Sequence, residues 1–193
     1  MESELEVMND NQPARKLPVD LDELAYIFDA NETELTWYLD LETGQILLIT
    51  DETRYQLESI IDQYGDEDGQ IDLETALAEL DLSATEQQEL RAAYQIETAF
   101  GERYIRVPAG EQRQGYKDMA DFIDTVQDAR LKIRLQQAIN KRGAFRNFKD
   151  ALATYPSERE RWFAFKNARA QQRVLTWLED EGIEIEPSGL DEL

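Results

Sequence analysis

The sequence predicts an α+β protein: a small antiparallel sheet with flanking helices, followed by a helical C-terminal region. Three observations carry this prediction. β-forming residues stand on both sides of a short turn containing Gly44, in Thr36-Trp37-Tyr38-Leu39-Asp40-Leu41 and Gln45-Ile46-Leu47-Leu48-Ile49-Thr50. Apolar residues recur at helical spacing from Gly110 to the end of the chain. No internal repeat with a period of about 20–50 residues is present, so a solenoid or propeller is excluded.

The elements follow in order. Residues 1–16 are polar and unpatterned and read as a disordered acidic arm. A single domain is expected over 17–186, with an acidic half over 17–110 and a basic, helical half over 111–180; residues 187–193 read as a flexible tail. Asp20 with Glu23 opens a first helix whose face is Leu21, Leu24, Ala25 and Phe28. In the hairpin, Trp37, Leu39 and Leu41 share the buried face; the second strand is apolar on both faces and is expected to be central or covered by helices. A helix from Asp51 presents Leu57, Ile60, Ile61 and Tyr64, and another covers Leu73 to Glu79. Ser83 and Glu86 make a capping box for a long helix stopped by Gly101. Tyr104 to Pro108 is a candidate third strand. Met119, Phe122, Ile123 and Val126 mark a helical face that Leu131, Leu135 and Ile139 continue to a break near Gly143. Phe145, Phe148, Leu152 and Tyr155 mark the next helix, closed by Pro156. Ser157 with Glu160 caps the last, and Ile183 to Pro187 is a candidate edge strand.

Composition removes several kinds of chemistry. With no Cys and no His among 193 residues, there is no disulfide, thiolate nucleophile, iron–sulfur cluster or imidazole base, and zinc lacks its usual ligands. No phosphate-binding glycine loop, G-x-S-x-G or GK[ST] occurs. Neither a cofactor nor a metal is therefore expected. Met1 to Asp10 shows no basic segment before an apolar run, and no stretch approaches the ~18–20 apolar residues of a membrane span, so a cytoplasmic bacterial protein without membrane contact is expected.

The net charge is −22, but it is unevenly distributed. Residues 129–173 carry twelve bases against three acids, whereas residues 1–128 carry eight bases against 32 acids. Separation on this scale calls for an interaction that uses it.

Two acidic features fall short of sites. The loop from Tyr64 to Thr75 aligns with a calcium loop at Asp66, Asp68, Gly69 and Ile71, but Tyr64 and Thr75 occupy the places of the first and the bidentate carboxylate. Asp40 lies inside a strand, on the face opposite Trp37 and Leu41, where solvent or an arginine would satisfy it. The basic region differs, because cations and aromatics interleave in Gly143-Ala144-Phe145-Arg146-Asn147-Phe148-Lys149-Asp150 and Trp162-Phe163-Ala164-Phe165-Lys166. Spacing predicts that Phe145 and Phe148 are both buried while Arg146 and Lys149 reach outward.

These two runs, with Leu17-Pro18-Val19-Asp20, Phe28-Asp29, Tyr38-Leu39-Asp40-Leu41-Glu42-Thr43-Gly44 and Asp118-Met119-Ala120-Asp121-Phe122-Ile123, resemble a bacterial family known only as a numbered, uncharacterised protein family. The resemblance covers about residues 17 to 178. It implies no catalytic or binding residue, because the family has no assigned activity.

Three functions are consistent with these features. The first is a non-catalytic interaction module that binds a protein partner or pairs with itself as a homodimer through opposed charged faces. The second is nucleic-acid contact through Arg130, Arg134, Arg142, Arg146, Lys149, Arg169 and Arg173. The third is a carboxylate- or metal-dependent hydrolase built around Asp40.

Overall fold

Asp20 is the first residue whose side chain sets local structure. Its Oδ1 accepts from the backbone N–H groups of Asp22 and Glu23 at 2.9 and 3.0 Å, satisfying donors that a helix start leaves open, and α1 (Leu21–Asp29) begins there. The computed structural model describes residues 15–30, 35–66, 70–110 and 112–186. Most of the expected arm (1–14), the tail (187–193) and positions 67–69 of the acidic loop lie outside the described residues. Arg15 and Lys16, assigned to the arm by sequence, instead belong to β1 (Arg15–Leu17), which pairs in parallel with β5 (Ile183–Ile185). Leu17 and Ile183 are both buried, which gives this pairing its apolar side.

The second sheet contains β2 (Leu35–Asp40), β3 (Ile46–Thr50) and β4 (Tyr104–Arg106), in the order β3-β2-β4 with antiparallel pairing throughout. The third strand joins as the sequence predicts. The central position falls to β2, not β3, because β4 takes the free edge of β2. On the edge strand, Ile49 is buried and Leu48, opposite Trp37, is 41% exposed. Period-two alternation sends Trp37, Leu39 and Ile46 into one core and Tyr38, Leu47 and Ile49 into another.

Three cores result. On one face of the sheet lie α2 (Asp51–Tyr64), α3 (Leu73–Glu79) and α4 (Ala84–Thr98), burying Leu57, Ile60, Leu77, Leu90 and Ile96. The Ser83 box opens α4 as predicted: Ser83 N–H donates to Glu86 Oε2 at 2.7 Å and Glu86 N–H to Ser83 Oγ at 3.3 Å. The middle core joins α1, the opposite sheet face and the C-terminal half of α8 (Pro156–Asp180) through Leu24, Ile27, Leu39, Val174 and Leu178. The third core packs α5 (Gln112–Thr125), α6 (Ala129–Ile139), α7 (Ala144–Leu152) and the N-terminal half of α8 around Met119, Phe122, Leu131, Leu135, Phe148 and Trp162. At 25 residues, α8 is about 37 Å long, which lets it serve both.

Two helix boundaries differ from the sequence reading. The helical pattern between Met119 and Ile139 is broken after Thr125: Asp128 Oδ1 accepts from the N–H groups of Arg130 and Leu131 and starts α6. Pro156 opens α8 as well as following α7, so Tyr155 is the N-cap and Ser157 lies within the helix. Proline suits this place because its fixed φ fits the first helical position and its missing N–H goes unneeded there.

Candidate interaction face and aromatic pocket

Gly143 turns the chain from α6 into α7 with φ +80°, and a Cβ there would meet nothing closer than Asn147 Nδ2 at 4.0 Å. The left-handed backbone, not crowding, is what calls for glycine. In α7, Phe148 is buried with its ring tilted against Trp162 at 4.8 Å and edge-on to Phe122 at 6.2 Å. Arg146 points outward as predicted, its side chain 90% exposed. Phe145 does not follow the prediction: it is 40% exposed. The buried arc of α7 is Phe148, Ala151 and Leu152 with Ala144 packed beside it, which leaves Phe145 at the arc's edge in the first turn. Its ring instead lies over α5, where a Cβ on Gly115 would stand 2.9 Å from Phe145 Cε1.

The seven candidate basic residues divide into two groups. Arg130, Arg134, Arg142, Arg146 and Lys149 are exposed on α6, α7 and the turn between them. Residues 129–149 contain seven bases and no acid. Within the described residues only two of the seven meet a carboxylate, Lys132 with Asp124 at 3.5 Å and Arg146 with Asp150 at 3.9 Å. Arg169 and Arg173 are not part of this face. Asp118, wholly buried on α5, accepts from Arg169 Nε at 3.3 Å, Arg173 Nη1 at 2.9 Å and Gln114 Nε2 at 3.2 Å, while Arg169 Nη2 donates to Asp121 Oδ2 at 2.7 Å. Burial of a carboxylate requires this matching of charge and hydrogen bonds. Lys166 is paired with Asp29 and Arg161 with Glu158. Arg161, Lys166, Arg169 and Arg173 of α8 are thus tied up in ion pairs within the chain, Arg159 lies over the Phe163 ring of its own helix, and Arg130, Arg134, Arg142, Arg146 and Lys149 face solvent.

A cavity of about 320 Å³ opens beside this face. The end of α1 supplies Phe28 and Asp29, and α5 supplies Gln114, Gly115 and Met119. From α7 come Phe145, Phe148 and Lys149, and from α8 Trp162, Phe163, Lys166 and Arg173. Gly110 completes the wall; its N–H donates to Ala30 O at 3.0 Å, and a Cβ there would lie 2.6 Å from Phe28 O. Four of the sequence runs that carry the family resemblance, those around Phe28, Met119, Phe148 and Trp162, meet at this cavity. Sequence reading missed it because it is assembled from residues more than 100 positions apart. One signal was present for its supports: acids three apart at Asp118 and Asp121 match bases four apart at Arg169 and Arg173, the spacing of facing helices.

Asp40 is satisfied by an arginine, one of the two outcomes expected for it. Arg103 Nη2 and Nε donate to its carboxylate at 2.8 and 3.2 Å, and the Glu42 N–H at 2.8 Å. Burial raises its pKa, but Arg103, the Glu42 N–H and the Thr43 side chain outweigh burial, so the carboxyl sits below its ordinary value. Because the folded pKa is the lower one, this contribution to stability is complete above the unfolded value of about 4 and is lost as pH falls through the folded value. Urea unfolding of Asp40→Asn is accordingly expected to show a shallower loss of stability below about pH 4 than the parent chain. Equal slopes would show that Asp40 does not carry this dependence. No group of three or more His, Cys, Asp or Glu residues placed to hold a metal occurs among the described residues, and none of their helices is long and apolar enough to cross a membrane.

Fold and site together define a helix-rich α+β protein with an open basic face next to an aromatic cavity. Residues 57–188 match the family described as Uncharacterised protein family (UPF0158). The chain belongs to that family, in agreement with the resemblance read from sequence. It is similar to the UPF0158 protein PA5073 of Pseudomonas aeruginosa, 27% identical over 170 residues that cover 88% of this chain and 87% of the relative. No solved structure gives a significant match.

Proposed function

We propose that the chain is a non-catalytic interaction module that pairs with a second copy of itself, the basic α6–α7 face of each copy meeting the acidic α2–α4 layer of the other. One observation carries this reading: four of the five bases of α8, all but Arg159, meet carboxylates within the chain, whereas Arg130, Arg134, Arg142 and Lys149 have no carboxylate partner among the described residues. Residues 51–99 supply the complement, with fourteen acids against two bases. The middle core separates the two charged regions, so an antiparallel pair satisfies both at once.

Sedimentation velocity tests this. At about 0.1 M salt the screening length of about 10 Å damps repulsion between two chains of charge −22 while leaving face-to-face pairs effective; at about 1 M it falls to about 3 Å. A dimer at the lower salt that dissociates at the higher is expected, and a monomer at both would refute the reading.

The exposure of Phe145 beside Arg146 and Lys149 favours a second reading, nucleic-acid contact, in which Phe145 stacks a base and the cations follow the phosphates. It requires the full chain to retain a single-stranded oligonucleotide with an affinity that falls steeply with salt. The overall charge of −22 opposes it and places it second.

A further inference from the structure

The cavity between α1, α5, α7 and α8 has an unbalanced charge inventory. Lys166 is committed to Asp29, and Arg173 gives Nη1 to the buried Asp118. Lys149, also on the lining, has no carboxylate partner among the described residues, which leaves one positive charge of that set unmatched. The remaining guanidinium donors of Arg173 make no hydrogen bond among the described residues, while Asp118 holds that side chain in place. The volume of about 320 Å³ lies at the small end of the ~300–1,000 Å³ of small-molecule sites. Phe148 and Trp162 are buried, whereas Phe145 and Phe163 are 40% and 49% exposed at the lining. Glycine at 115 lets the Phe145 ring lie against α5 instead of being pushed away from it.

We propose that this cavity binds a small aromatic monoanion, with its ring among Phe148, Trp162 and Phe145 and its carboxylate between Lys149 and Arg173. A flat ring extends the edge-to-face arrangement already running from Phe122 through Phe148 to Trp162, which an aliphatic chain cannot do. A single negative charge matches the single unmatched positive one, and a dianion would leave one charge desolvated without a partner. Lys149 belongs both to the basic face and to the cavity lining, whereas Arg130 and Arg134 belong to the face alone, and these two separate ligand binding from self-association.

Isothermal titration calorimetry with naphthalene-2-carboxylate, and with the neutral naphthalene-2-carboxamide as control, tests it on the full chain. The carboxylate is expected to bind at least about tenfold more tightly than the carboxamide, the difference of one charge-assisted contact. Lys149→Gln should bring the carboxylate down to the level of the carboxamide, and Arg130→Gln should leave both unchanged while weakening self-association. Lys149 is exposed, so its replacement does not threaten folding. Gly115→Leu, which displaces Phe145, should abolish binding of both compounds. Equal affinity for the two compounds, an equal loss in Arg130→Gln and Lys149→Gln, or no binding of either would overturn the proposal.

Discussion

Phe148→Ala is expected to destabilise the chain by about 3–5 kcal/mol. Phe148 is 1% exposed and its ring contacts Phe122 and Trp162, so truncation leaves a hole bounded by three helices whose backbones cannot close over it. The transition should shift in urea, and the signal from Trp162 should report it first, because that indole loses its nearest aromatic neighbour. Arg146→Ala, two positions away with its side chain 90% exposed, should change stability by less than about 0.5 kcal/mol. A cost below about 1 kcal/mol for Phe148→Ala would mean that the third core is not packed as described.

The second large effect is at Asp118. Asp118→Ala leaves Arg169 and Arg173 without their shared acceptor, and breaking a buried pair costs about 3–5 kcal/mol when the orphaned charge stays buried. Both arginines are partly exposed, at 37% and 24% of their side chains, and can turn toward water, which places the expected loss near about 3 kcal/mol. Asp121→Ala provides the contrast. Its carboxylate is 40% exposed and meets the same Arg169, so the expected cost is below about 1 kcal/mol. Comparable losses at the two positions in urea titrations would show that burial of Asp118 does not set the energy of the network.

What was legible in the sequence was local. Asp20 and Ser83 cap helices through bonds to residues three or fewer positions away, so the pattern needed for them is contained in the sequence itself. The hairpin around Gly44, with φ +74°, belongs to the same class. The α5–α6 break escaped notice because Leu131 and Leu135 continue the apolar spacing from Val126, and only the cap at Asp128 marks the interruption. The burial of Phe145 was misjudged because spacing places residues on a face without saying how wide the neighbouring helix makes that face; Gly115 leaves room for the ring at the edge. Charge counting identified the basic region, yet it could not separate Arg169 and Arg173, which meet an acid some fifty positions away, from Arg142 and Lys149, which meet none among the described residues. That division is a tertiary property, and the candidate face depends on it.

Charge-reversed chains test the central claim most directly. One variant carries Arg130→Glu, Arg134→Glu and Arg142→Glu on the basic face; the other carries Glu58→Lys, Asp62→Lys and Glu89→Lys on α2 and α4, all six positions being exposed. In an antiparallel pair each variant alone brings like charges together at both contacts, whereas one copy of each restores opposite charges at both. Sedimentation velocity at about 0.1 M salt should therefore find each variant monomeric and their equimolar mixture dimeric, as the parent chain is. A mixture that stays monomeric beside a dimeric parent, or variants that dimerise unaided, would contradict the pairing of α6–α7 with α2–α4.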